Sequence, residues 1–307
     1  MSRDKSKNKK NKVKLEKNTE SNKDKKAKVE VKPFKIRNVL KNAYLLLAHN
    51  KKAIFKITGI YGLIYFFLVQ SFTAPVSATG IKNSFLAAFQ NQIHATFNTF
   101  SYVVSSNTTD SSSQTSPIFQ IILIIIFSLA IIYAFRKMYK NEEIKVKEVI
   151  YNSMYPLIPF LIVLIIILIQ LLPMDLSLAF YSIITSGGIL SNIVELLIFG
   201  ILFISLILFS LYLVSNSIIA LYIVTLSNMT PLASLRSAKQ LIKGRRPKVV
   251  ISLLILPLLL VALAAAVLLP LILFIPAIAS WVYIIMLIFA LPLVHSYLYS
   301  LYRELIK

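Results

Sequence analysis

Cysteine is absent from this 307-residue chain, which excludes a disulfide framework, a thiol nucleophile and a thiolate metal site. Acidic residues are scarce, 12 against 33 Lys and Arg, so the net charge is +21. There are only three histidines, and His49 and His94 fall on opposite sides of the predicted membrane, which excludes a histidine metal cluster. With seven glycines, the chain contains no Gly-rich phosphate loop, and it has neither an HExxH nor a GxSxG pattern. No catalytic constellation or cofactor-binding motif is present, and the expectation is a non-enzymatic protein.

What the chain has in quantity is apolar sequence. Hydrophobic residues make up 57% and charged residues only 15%, against roughly 25% charged in soluble domains. The apolar residues come in runs: Ile121–Ala134, Leu157–Leu172, Ile193–Val214, Val249–Pro270 and Ala277–Val294 are nearly uncharged. About 20 such residues cross a hydrocarbon core as a helix, and the alternating pattern of a barrel is missing. The predicted fold is an all-α integral membrane protein with six transmembrane helices over about 53–73, 118–136, 156–173, 192–214, 249–269 and 280–302.

Residues 1–52 hold 18 of the basic residues and five acids. The remaining cations are Lys56 at the cytoplasmic mouth of the first span, clusters at 136–147, 236–248 and 303–307, and Lys82, alone on the other side. Positive residues stay on the cytoplasmic side, so both termini read as cytoplasmic and the protein as a multi-pass protein of the plasma membrane. Tyr133, Tyr139, Tyr151 and Tyr155 flank the first cytoplasmic loop, Tyr297, Tyr299 and Tyr302 close the last span, and Trp281 marks its opposite end. Val76-Ser77-Ala78 resembles a cleavage site, yet 52 polar residues precede the apolar stretch, so the first span reads as an uncleaved anchor.

Residues 1–32 are low-complexity Lys, Asn, Asp and Glu, too polar to fold, and read as a disordered tail. An anionic phospholipid surface is the expected partner, with a ribosome or other nucleic acid as the alternative. No aromatics interleave these lysines, so base stacking has no support.

Residues 33–52 form a basic amphipathic segment: Ile36, Leu40, Ala43, Tyr44 and Leu47 recur at helical spacing opposite Lys35, Arg37, Asn38, Lys41 and Asn42, after Pro33 and before a stop at Asn50. A second segment aligns Val146, Val149, Ile150, Ser153 and Met154. A third aligns Leu232, Leu235, Ala238 and Ile242 opposite Arg236, Lys239 and Lys243, with Thr230 as N-cap, Pro231 at N1 and Gly244 as C′. Val39–Ala43, Val149–Ser153 and Ser234–Ala238 align at spacings of 110 and 85 residues, each ahead of a pair of spans. The pattern predicts cytoplasmic amphipathic helices before spans 1, 3 and 5, a threefold helix-plus-hairpin repeat. The anionic-lipid contacts read from these segments are Lys35, Arg37, Lys41, Arg236, Lys239, Lys243, Arg245 and Arg246.

The order of a long apolar helix, the segment Thr230-Pro231-Leu232-Ala233-Ser234-Leu235-Arg236-Ser237-Ala238-Lys239-Gln240-Leu241-Ile242-Lys243-Gly244-Arg245 and another span resembles a bacterial membrane domain. That domain accompanies some glycerophosphodiester phosphodiesterases and occurs free-standing in six-span proteins. The catalytic barrel of that family has no counterpart here. The resemblance implies a membrane domain and no phosphodiesterase activity.

Outside, within the loop over 74–117, Ile81, Phe85, Phe89, Ile93 and Phe97 predict an amphipathic helix over 81–100, followed by a Ser/Thr-rich linker with a sequon at Asn107. Residues 174–190 read as an interfacial or re-entrant loop. Three ionisable residues within or beside the spans are candidate ion or proton sites: Glu195, Asp175 and His295. Glu195 reads either as a capping-box partner of Asn192 or as a site with Asp175 across the same face. His295 reads as a packing residue or a proton relay.

The run from Asn192 to Leu226 is too long for one crossing and too short for two, so one helix projects into the cytoplasm. Its apolar extension, with Ile218, Ile219, Leu221 and Ile223, requires cover, and the three amphipathic segments on that side are the available cover. The functional expectation is a scaffold, accessory or lipid-handling protein, with a secondary transporter as the alternative, partnered by other membrane proteins or a second copy.

Overall fold

A computed structural model of the chain describes residues 35–69, 115–187 and 193–307. The basic tail, Pro33, the predicted outer helix over 81–100, the Asn107 sequon and Asn192 lie outside the described residues. Among the described residues there are nine helices and no strand: α1 (Ile36–His49), α2 (Lys51–Leu68), α3 (Thr115–Tyr139), α4 (Val146–Ser153), α5 (Leu157–Gly187), α6 (Ile193–Ile223), α7 (Pro231–Leu241), α8 (Arg246–Phe274) and α9 (Pro276–Ile306).

Five of these, α3, α5, α6, α8 and α9, are long and apolar enough to cross a membrane. The first predicted span coincides with α2, whose 18 residues carry Lys51, Lys52 and Lys56 and fall short of that criterion on charge. It packs on α3 and α9, where Tyr61 meets Phe127 at 5.2 Å between ring centroids. A Cβ at Gly62 would come within 3.3 Å of Ile288 of α9. The missing side chain is what lets the two backbones approach, as small residues do in membranes.

Two predicted boundaries are corrected. Residues 174–187 are helical and continue α5 past Pro173, where a loop was expected. Proline removes one backbone donor and crowds the preceding turn, but membrane helices tolerate it when neighbours bond the freed carbonyls. The carbonyl that Pro173 leaves without its helical donor is that of Ile169. On either side of the proline α5 is tied to α6: Ser210 Oγ donates to the Gln170 carbonyl at 2.8 Å, and Ser177 Oγ donates to the Phe203 carbonyl at 3.3 Å. The last two spans are also longer than predicted. They are separated by Ile275 alone, whose N–H caps Leu271 before Pro276 starts α9.

As expected, α6 runs unbroken through Ser215-Asn216-Ser217. Its extension is covered: Val214, Ile219, Ala220, Tyr222, Ile223 and Val224 are all buried. The α5 and α6 crossings are otherwise only 11% buried by protein, against 56% for α3. That hairpin thus offers its sides to lipid, while α3 lies in the interior.

The three short helices share a register. Lys35, Lys145 and Thr230 are extended N-cap residues, so α1, α4 and α7 begin at equivalent positions at the 110- and 85-residue spacings. Val39, Val149 and Ser234 are buried, as are their i+4 neighbours Ala43, Ser153 and Ala238. Lys41, Tyr151 and Arg236 point outward, as do Arg37, Lys147 and Leu232. The packing partners are equivalent too: α4 lies on α3, α7 on α6, and α1 on α9. Each short helix rests on the second spanning helix of the preceding pair, and α1 closes the circle on the last helix of the chain.

The buried stripes differ from the predicted ones. On α1 the stripe is Val39, Ala43 and Leu46, while Tyr44 is exposed. On α7 it is Ser234, Ala238 and Ile242, while Leu232 stands 65% exposed on the basic face. In both cases small residues let the helix approach closely, and close approach selects a face that a hydrophobicity pattern ranks second. Thr230 caps α7 as expected, its Oγ1 accepting from Ala233 N–H at 3.3 Å. Gly244, at φ 80°, lies one residue beyond the C′ position assigned to it, because Ile242 is the C-cap.

Candidate functional site

The three ionisable candidates do not converge. The two serine bonds fix the α5–α6 register, pairing 177 with 203 and 170 with 210. Asp175 is then level with Ser205, and Glu195 with position 185, ten residues further along and about 15 Å away along the axis. Asp175 is exposed and Glu195 is half-buried in the first turn of α6, where the helix dipole favours a carboxylate. The expected pairing of these acids across one face is therefore corrected.

His295 belongs to a different place. It is buried on α9, its Nδ1 2.9 Å from Tyr222 Oη of α6 and its Nε2 2.9 Å from Ser128 Oγ of α3. One ring nitrogen of a neutral imidazole donates and the other accepts, and a hydroxyl can serve either. The residue ties together the three inner helices with both nitrogens satisfied. Around it Tyr222 stacks on Tyr302 at 6.1 Å and meets Tyr299 at 6.1 Å, while Phe135 meets Tyr299 at 5.9 Å. Tyr297, predicted as an interfacial anchor with Tyr299 and Tyr302, is buried like them, its hydroxyl donating to the Ser252 carbonyl at 2.9 Å. These tyrosines hold the bundle from inside, Tyr222 and Tyr297 through hydroxyl bonds and Tyr299 and Tyr302 through their rings.

The short helices are pinned at this same end. Asn42 Nδ2 donates to Glu304 Oε1 at 2.7 Å, Arg245 donates to the Leu305 carbonyl at 3.2 Å, and Lys137 pairs with Glu148 at 2.6 Å. The Lys137 hydrogen bond holds the Glu148 carboxyl below its ordinary range. That contribution is present above the ordinary carboxylate range and is lost as pH falls through the lowered value. Of the predicted lipid contacts, Arg245 and Arg246 turn to protein, the latter bonding the Tyr212 hydroxyl and lying 4.9 Å over its ring. Lys35, Arg37, Lys41, Arg236, Lys239 and Lys243 are exposed.

Between α3, α4 and the end of α6 lies a cleft of about 660 Å³ that sequence reasoning did not find. Arg136 is the one cation among its lining residues, and no acid lines it. Its Nη1 donates to the Thr225 carbonyl at 2.8 Å and its Nη2 to Thr225 Oγ1 at 2.5 Å. Among the described residues no carboxylate pairs with it, since Glu148 is taken by Lys137, Glu142 by Lys140 and Glu304 by Lys307. In the sequence Arg136 is one of several basic residues at a helix end, and nothing distinguished it from its neighbours.

Comparison with protein families, with curated proteins and with solved structures found no match.

Proposed function

We propose that this chain is a non-enzymatic plasma-membrane protein with a scaffold or lipid-handling role, built from three units of one short amphipathic helix and one transmembrane hairpin. In this reading α2 completes a set of six spans and both termini are cytoplasmic. The observation that carries it is the end of the bundle where α1, α4 and α7 gather. Their inward faces rest on protein, and their outward faces present Arg37, Lys41, Lys147, Arg236, Lys239 and Lys243. A cation near an anionic leaflet contributes about 1 kcal/mol, so such an end holds charged headgroups against the bundle.

Topology tests the arrangement. A reporter fused after Lys307 should be cytoplasmic, and an Asn107→Cys protein should label from outside with an impermeant thiol reagent. An externally accessible C-terminus would remove the six-span reading.

The basic tail gives a second test. Deleting residues 2–30 should leave insertion and thermal stability unchanged, because a segment with almost no apolar side chains has no core to join. As a peptide it should bind anionic vesicles and be released as salt rises, since screening shortens the reach of exposed charges. Binding that survives molar salt contradicts the electrostatic account. Binding to ribosomes in preference to vesicles would favour a ribosome-docking role for this tail.

A further inference from the structure

We propose that the cleft beside Arg136 binds a phosphate-bearing anion, namely the headgroup of a phospholipid in the leaflet at that end of the bundle; this deepens the lipid-handling reading and rests on it for the position of the leaflet.

The first argument is charge. A guanidinium has five N–H donors in a rigid fork, and Thr225 occupies two of them. Thr225 is neutral, so it orients Arg136 without compensating its charge. A half-buried cation with no counter-ion is costly, and an anion with several acceptor oxygens removes that cost. Planar, bidentate recognition of phosphate is what an arginine held in this way suits best.

The second argument is the lining. Tyr151 and Tyr155 are 82% and 80% exposed, so their hydroxyls are free to turn toward a ligand, and Asn152 and Ser227 add further polar groups. Lys137, 5.7 Å from the Tyr133 ring on the same wall, is compensated by Glu148, so Arg136 is the cation that faces the cleft. The remaining wall is apolar, with Leu129, Met154 and Pro156. A lining that joins Arg136 and several polar groups to apolar side chains matches the root of a phospholipid, where phosphate gives way to glycerol and chain.

The third argument distinguishes a lipid from a soluble phosphate. Two residues beyond Pro156 an exposed apolar stripe begins on α5, with Ile158, Ile162, Ile165, Ile169 and Leu172 at helical spacing. An acyl chain laid along it would remove that surface from its neighbours while the headgroup stays at Arg136. A soluble phosphate would use the arginine alone, whereas a phospholipid would use the arginine and the lipid-facing stripe that continues from the cleft.

Native mass spectrometry of the full-length protein in detergent tests this. The probes are phosphatidylglycerol, diacylglycerol with the same chains, glycerol 3-phosphate and inorganic phosphate. Wild type should retain phosphatidylglycerol and not diacylglycerol. Arg136→Gln should lower retention by at least about tenfold, as expected for losing a charge-assisted contact, whereas Lys248→Gln, exposed at the start of α8 and outside the cleft lining, should leave retention unchanged. Tyr155→Glu, at an exposed position, should lower it as strongly by placing a like charge beside the phosphate, and it decides the matter if Arg136→Gln does not fold. Equal retention of diacylglycerol overturns the proposal, as does undiminished phosphatidylglycerol in Tyr155→Glu or in an Arg136→Gln protein of unchanged thermal midpoint. If glycerol 3-phosphate or inorganic phosphate binds at Arg136 and phosphatidylglycerol does not, the anion site stands and the lipid-handling reading falls.

Discussion

Tyr222→Ala is expected to cost on the order of 3–5 kcal/mol, the largest single loss in the bundle, read as a drop in thermal midpoint in detergent. The side chain is among the largest fully buried ones and lies where α3, α6 and α9 meet. Its removal opens a cavity between Tyr299 and Tyr302, each of which it meets at a ring separation of 6.1 Å. The attraction that truncation removes includes the dispersion contacts of a large ring, which a void forfeits outright. Tyr222→Phe separates the ring from the hydroxyl. It keeps the packing and strips His295 Nδ1 of its 2.9 Å partner, which should cost about 1–3 kcal/mol. His295→Leu leaves the two hydroxyls without the imidazole, so the double variant with Tyr222→Phe should be destabilised by less than the sum of the two single variants. Additive effects would mean that the imidazole and the phenol do not share a bond.

Much of this architecture was legible from hydrophobic runs and charge. The helical class, five of the crossings and the single long helix through Ser215-Asn216-Ser217 follow from run length and from the absence of breakers. The common register of α1, α4 and α7 was visible as a five-residue match, Val39–Ala43 against Val149–Ser153 and Ser234–Ala238. What escaped depends on partners distant in sequence. Residues 174–187 look like a loop beside Pro173, yet the helix continues through the proline, tied to α6 by the bonds of Ser210 and Ser177 on either side of it. Tyr297, Tyr299 and Tyr302 look like an interfacial belt until α3, α6 and α8 close over them. Arg136 looks like one topology signal among several until Glu148 is seen to be engaged by Lys137, leaving the guanidinium to hydrogen-bond the neutral Thr225. Ionisable residues also mislead when counted without register: Asp175 and Glu195 belong to one hairpin, yet the serine bonds place them about 15 Å apart.

The face of α7 gives the sharpest contrast between pattern and packing, and two of its apolar residues, Leu232 and the C-cap Ile242, should respond in opposite ways. Ile242 is fully buried at the end of α7, in line with Ser234 and Ala238 against the extension of α6. Ile242→Ala should lower stability by about 2–5 kcal/mol, because removing buried methylenes leaves a hole that a close-packed helix pair does not refill. Ala238→Leu should also be destabilising, by about 1–3 kcal/mol, since there is no room for a larger side chain at a position with no exposed surface. Leu232→Ala should leave the thermal midpoint in detergent nearly unchanged, because that side chain is 65% exposed beside Arg236, Lys239 and Lys243. In vesicles the order reverses if this face lies on lipid. Leu232 then inserts among the acyl chains between three cations, as apolar residues of interfacial helices do, and its truncation should weaken the protection of α7 against proteolysis while Lys239→Gln and Lys243→Gln add to the effect. A Leu232→Ala protein that loses stability in detergent would place this residue against protein. The buried stripe would then have to include it, and the basic face of α7 would no longer be free to meet a membrane.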